Sequence, residues 1–326
     1  MRPSSRSSRP LLLFVPVLAL VVISGCTSSS GGAGPGVVIL GWEPELSDVF
    51  SDDQIDFLLK VQNTGESRAR NVVAEITNID PAEWGTFGFT QKQLGELIPF
   101  DPVTNTPGET ETVTFSNFRA PKLNKGQDFI YEPIARISYD YATSAQKPVT
   151  IVDATELIRI KQAGQALPSE AATYTSGPLS VEIIMGDFVK SQGQFGFGQT
   201  YDIFPVHIRI RNTLIGSGRV VPKTFGFSGS SFFGDLNYPV DVIVRPPAGT
   251  NFVFSGFGDD CSQFTFQADL FRGEEAEITC ELEVTSAPTI RTESLLTVEL
   301  DYRYTIDAST QLRVQGTQEI GGFGFR

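Results

Sequence analysis

Apolar and polar residues alternate in short runs along much of this chain. Phe57, Leu59 and Val61 recur at every second position, as do Val206, Ile208 and Ile210; that period of two marks a strand with one face buried. Gly108 and Gly273 supply turns ahead of further strands in which Val113 and Phe115, or Ile278 and Cys280, point the same way. Helical periodicity is scarce, with only brief candidates such as Thr90–Leu97. Short strands punctuated by Gly, Pro and Asn predict an all-β fold, a sandwich or a barrel.

Three segments recur in the same order in the two halves of the chain. Phe57-Leu-Leu-Lys-Val-Gln-Asn63-Thr64-Gly65 matches Val206-His-Ile-Arg-Ile-Arg-Asn212-Thr213, each an alternating strand running into Asn-Thr. Gly108-Glu-Thr-Glu-Thr-Val-Thr-Phe115 matches Gly273-Glu-Glu-Ala-Glu-Ile-Thr-Cys280, and Ile134-Ala-Arg-Ile-Ser-Tyr139-Asp-Tyr141 matches Leu296-Thr-Val-Glu-Leu-Asp-Tyr302-Arg-Tyr304. The common order predicts an internal duplication. Copy one is placed at residues 37–160 and copy two at 179–317, with a linker at 161–178 and a tail at 318–326. Each copy is expected to form its own sandwich, and residues 179–317 to fold alone.

The first 25 residues stand apart from this pattern. Arg2, Arg6 and Arg9 precede an apolar run, Leu11–Gly25, that is shorter than the roughly 20 residues needed to span a bilayer. This is the layout of an export signal. Val22-Ile23-Ser24-Gly25-Cys26 resembles the lipobox of prokaryotic lipoproteins. The resemblance implies cleavage before Cys26, lipid on its sulfur and a flexible Ser/Gly tether at residues 26–36. An ordinary signal peptide or an uncleaved anchor is the alternative. The expected location is therefore outside the cytoplasm, with the chain held on a membrane by its lipid.

Composition narrows the partners. Among 326 residues, 25 are Phe and 2 are Met, an aromatic rather than helical-bundle bias. The net charge of −13 repels phosphate, so nucleic acid is not an expected partner. Without residues 1–25 the 25 basic residues fall by three, to 22 against 38 acids, a net charge of about −16. With Cys26 acylated, Cys261 and Cys280 remain as an even pair in an oxidising setting, where a disulfide is expected; two buried thiols are the alternative.

The strand–Asn-Thr-Gly–strand run from Leu58 to Ile76 resembles CARDB-like immunoglobulin-fold domains of archaeal and bacterial surface proteins. That resemblance implies two tandem immunoglobulin-like β-sandwich domains used for adhesion, spacing or assembly, with no shared catalytic residues. Copy two departs from it, because Leu214-Ile215 replace the Gly that follows Asn-Thr in copy one. Its hairpin is expected to differ.

The single histidine, His207, faces away from the apolar side chains of its strand, and no Gly-x-Ser-x-Gly elbow accompanies it. No catalytic residue and no cofactor are expected. Acidic loops at Asp52, Asp53, Asp259 and Asp260 are weak Ca²⁺ candidates, without the spacing of a calcium loop. Phe-Gly-Phe recurs at 87–89, 195–197, 225–227 and 323–325. These segments either pack as core or, if exposed, form an apolar patch for a partner or glycan; in the latter case Phe323 and Phe325 are candidates for partner contact, in a tail able to pair with a neighbour's sheet edge. The reading is a non-catalytic surface protein with a structural, adhesive or assembly role; the competing classes are a module capturing glycan, peptide or Ca²⁺ and, behind it, a carboxylate-dependent hydrolase.

Overall fold

Alternating burial runs through nearly every element, which is why the chain folds as strands. The computed structural model describes residues 33–86, 90–166, 170–186, 188–191, 202–223, 238–253, 261, 264–286 and 288–317. Cys26, Asp259, Asp260, Phe323, Phe325 and the Phe-Gly-Phe segments lie outside them. Residues from Ala33 on form one compact unit. Among the described residues no helix is long and apolar enough to cross a membrane.

The first half contains β1 (Val37–Pro44), β2 (Asp48–Phe50), β3 (Gln54–Asn63), β4 (Ala69–Thr77), β5 (Gln91–Leu97), β6 (Thr110–Arg119), β7 (Asp128–Tyr131) and β8 (Ile134–Asp153). Helix α1 (Ala154–Gln162) and β9 (Thr173–Tyr174) follow. The second half contains β10 (Leu179–Ile184), β11 (Phe188–Ser191), β12 (Ile203–Asn212), β13 (Gly218–Val221), β14 (Pro239–Arg245), β15 (Thr250–Phe252), β16 (Thr265–Asp269), β17 (Glu275–Val284), β18 (Arg291–Ser309) and β19 (Leu312–Gln315). The fold is all-β apart from one described helix. That helix begins at Asp153, whose side chain accepts from the Thr155 N–H, and carries Glu156 in its first turn and Lys161 in its last. The brief helical candidate at Thr90–Leu97 is a strand instead: β5 pairs with β4, and Gly95 takes a positive φ of 82° at a register shift.

The two halves repeat one pairing scheme. Strands β1-β3-β6 form one sheet and β10-β12-β17, with β15 added, form its counterpart. A second layer runs β16-β14-β18-β8-β4-β5 without interruption through both halves. Val73 opposite Ser138 corresponds to Asp241 opposite Asp301, and Thr77 opposite Ile134 corresponds to Arg245 opposite Thr297. Arg70 opposite Asp140 likewise corresponds to Val221 opposite Arg303. The bulge at Asn71-Val72 in the first half is thus the point where residues 222–238 separate β13 from β14 in the second.

The centre of the molecule is the ladder between β8 and β18. It runs antiparallel from Ile134 opposite Ser309 to Val152 opposite Arg291, and the same register resumes in β7 and β19, from Tyr131 opposite Leu312 to Asp128 opposite Gln315. Asp140 matches Arg303 in the sequence repeat, and the two also face each other in the ladder. A pseudo-twofold axis therefore passes through this pair. Either side of it, Tyr139, Tyr141, Tyr302 and Tyr304 are fully buried, with Tyr139 opposite Tyr304 and Tyr141 opposite Tyr302. Their rings lie 5.9–6.3 Å apart in tilted and edge-on pairs, the geometry aromatic quadrupoles favour.

Both long strands pass from one half into the other. The end of β8, Thr150–Asp153, pairs in parallel with β11 of the second half. Symmetrically, β19, which follows β18, pairs in parallel with β2 of the first half. Each half is thus completed by a segment belonging to the other repeat.

Candidate functional site

The repeated Asn-Thr motif is structural. Asn63 and Asn212 are buried, and each accepts at Oδ1 from a backbone N–H two residues on, Gly65 at 3.2 Å and Leu214 at 3.0 Å. Their Nδ2 groups donate across the sandwich, Asn63 to the Ser67 and Leu97 carbonyls and Asn212 to those of Gly218 and Gly273. Thr64 and Thr213 donate to Gly36 and Pro178 carbonyls at 2.8 Å. The Asx turn survives the loss of Gly in copy two, because only the amide of the second residue is used. The chain differs after it, where Ser217 and Gly218 both donate to the Leu214 carbonyl and Gly216 takes a positive φ.

The candidate Ca²⁺ ligands Asp52 and Asp53 build the turn between β2 and β3. Asp53 accepts from the Phe50 N–H at 2.9 Å, and Asp52, in the left-handed region at φ 70°, has Arg119 3.6 Å away. Among the described residues no group of three or more His, Cys, Asp or Glu is placed to hold a metal ion. His207 lies on the outer face of its sheet between Ile184 and Thr279, with Nδ1 3.1 Å from Thr279 Oγ1. Cys261 and Cys280 are joined by a disulfide with Cα atoms 5.3 Å apart, both buried.

The tyrosine cluster bears the strongest electrostatic perturbation. Burial pushes the phenols of Tyr139 and Tyr302 well above the ordinary value, and lifts Tyr304 as well. Tyr141 is raised to about 12, chiefly by burial, against hydrogen bonding from Ser67 that opposes the rise. Tyr302 bonds to Thr143 at 2.8 Å and accepts from the Leu179 N–H at 3.2 Å; Tyr304 donates to Asn212 Oδ1 at 2.5 Å. These bonds tie the Asn motif to the central ladder. On the ladder's outer face, Arg303 and Asp140 pair at 3.0 Å, and Asn71 Nδ2 donates to Asp140 at 2.7 Å.

The halves diverge at the outer edges of the continuous sheet. Register places Phe266 of β16 where β5 has Lys92, and the sequence repeat places Cys280 where β6 has Phe115. In the first half the Lys92 ammonium crosses the gap between layers, donating to the Thr114 carbonyl at 2.5 Å and lying 5.5 Å from the Phe115 ring centre. In the second half the matching gap is an open groove of about 440 Å³. Phe266, Ala268, Ala276 and Ile278 line it and Phe271, 68% exposed, stands at its end. Asp269, Glu275 and Glu277 form its rim. Sequence reasoning missed this groove, although the Lys92-to-Phe266 exchange was present in the repeat; the matched segments did not extend into β5 and β16.

No family model matches the chain, and no curated protein is significantly similar to it.

Proposed function

We propose that this chain is a lipid-anchored, extracytoplasmic protein with a structural, adhesive or assembly role, made of two immunoglobulin-like sandwiches of CARDB-like type that have exchanged their last strands. One observation carries this reading: the β8–β18 ladder, with its parallel extensions onto β11 and β2, makes each half depend on the other. In an immunoglobulin-like sandwich a short strand after the first pairs in parallel with the last strand. Here β2 and β11 take that place, and the strand each receives comes from the opposite repeat. Such an exchange converts two modules into one cooperative unit without a flexible joint between them, which suits a spacer or a load-bearing assembly component.

The ion pair on the pseudo-axis supports pairing of unlike halves. Were the first half to pair with a copy of itself about the same axis, Asp140 would face Asp140; in the second, Arg303 would face Arg303. Like charges directly opposite disfavour both alternatives. The disulfide fits an oxidising compartment.

Single-molecule pulling on residues 33–317 tests the exchange. One unfolding event is expected, releasing most of the chain at roughly 0.35 nm per residue. Two separate events of about half that length would overturn it. Detergent partitioning tests the anchor: Cys26→Ser is expected to move the protein from the detergent to the aqueous phase, and unchanged partitioning would refute lipidation.

A further inference from the structure

We propose that the free edge of β16 and the groove beside it are a docking site for an extended peptide segment of a partner protein, one that alternates apolar side chains with Lys or Arg. The inference goes beyond the structural role above and stands without it. Among the described residues β16 pairs only with β14. The Leu270 N–H donates to Tyr238 and the Phe264 carbonyl accepts from Val244, so the even-numbered residues turn their backbone groups toward β14. Thr265, Gln267 and Asp269 consequently turn theirs outward. That row of donors and acceptors is a template for one more strand.

The usual protections of an edge are missing here. Strand β5, its counterpart, carries Lys92, a glycine and two shifts of register, features that discourage added strands. By contrast β16 pairs in unbroken register and has no Lys, Pro or Gly. A strand added to it would direct alternate side chains over Phe266, Ala268 and Ile278, which asks for apolar residues at every second position. The intervening side chains would lie on the outer face of the β16 sheet, beside Thr265, Gln267 and Asp269. Asp269 has no salt-bridge partner among the described residues, and Glu275 and Glu277 of the opposite layer, the former 3.7 Å from Arg211, add negative charge where they border the groove. Cationic side chains are the complement, and the chain's net charge of −13 reinforces the preference.

The probe is a fluorescein-labelled octapeptide of alternating Lys and Val, titrated with the full-length chain by anisotropy at 50 and 150 mM salt. A Glu/Val octapeptide serves as the charge-reversed comparison. Two variants block the site differently. Phe266→Lys imports the closure found in the first half, and Gln267→Pro removes an outward-facing N–H while leaving the β14 ladder intact. Expected are binding of Lys/Val at least tenfold tighter than Glu/Val, and at least tenfold weakening by either variant whose melting curve matches the parent's. Should Phe266→Lys fail to fold, Gln267→Pro decides. Absence of binding at 1 mM, equal affinity for the acidic peptide, or full affinity in a folded blocking variant would each overturn the proposal.

Discussion

Strands β5 and β16 hold matching places at opposite ends of one sheet, yet they are closed by different chemistry. At β5 a single ammonium spans the two layers, bonded to Thr114 and resting over Phe115. At β16 the corresponding side chain is Phe266, and the corresponding ring is replaced by Cys280, which is bonded to Cys261. The disulfide joins β17 to Cys261, four residues ahead of β16, and neither cysteine lines the groove. A groove therefore remains at the place where the first half has the Lys92 bridge. The contrast with the centre is instructive: around the pseudo-axis both halves supply the same two tyrosines, because each must pack against the other and neither can change alone.

The largest test of this division is to separate the halves. Residues 179–317 expressed alone lose the whole β8 ladder and the partner of β11; they are expected to show no cooperative melting transition, and to regain one when mixed with residues 33–178. An independent, cooperative melt of the fragment would mean that the shared sheet is dispensable.

Alkaline titration probes the centre as a unit. Folded Tyr139, Tyr141, Tyr302 and Tyr304 have phenol values raised above the ordinary one, so the folded state holds their protons longer than the unfolded state does. Their contribution to stability is full below about pH 10 and is lost as pH rises from there through the folded values. Absorbance at 295 nm is expected to show these phenols ionising together with unfolding, as one steep step above pH 10. Gradual ionisation in a still-folded protein would contradict their burial.

Within the centre, Tyr302→Ala removes a fully buried ring together with its bonds to Thr143 and Leu179. A loss of about 3–5 kcal/mol in chemical denaturation is expected. Reduction of Cys261–Cys280, which closes a loop of sequence separation 19, is expected to cost roughly 3 kcal/mol. Hydrogen exchange should then accelerate at β16 before β5; equal acceleration at both edges would show that the disulfide does not act locally. The smallest effect sharpens the comparison directly. Lys92→Phe deletes an exposed charged hydrogen bond and is expected to cost about 1 kcal/mol or less, without making the first edge a site for the Lys/Val peptide, because Gly95 and the two register shifts of β5 remain; binding there as tight as at β16 would show that the lysine alone closes the edge.

Much of the fold was legible in the chain. Alternation at Phe57–Val61 and Val206–Ile210 named strands that the structure contains as β3 and β12, and the pair Cys261 and Cys280 was legible as a disulfide. The continuation of β8 beyond Tyr141 was not, since Thr143 and Ala145 are small or polar inward residues and Pro148 reads as a breaker. Pro148 is tolerated opposite Leu295 near the strand's end. The roles of the acidic residues were not legible either: Asp52 and Asp53, weak Ca²⁺ candidates by sequence, lie in the turn between β2 and β3, where Asp53 accepts from the Phe50 N–H and Asp52 sits 3.6 Å from Arg119.

By itself the sequence determined the class of secondary structure, the duplication and the chemistry available at each position, because these follow from local periodicity and residue type. Only the tertiary structure decided which strands of one half pair with which of the other, and which edge has a single partner among the described residues. A two-residue period specifies that a face is buried, but not which strand buries it. The partner is chosen by register, and register here depends on tyrosines and an ion pair that meet across 163 residues of chain.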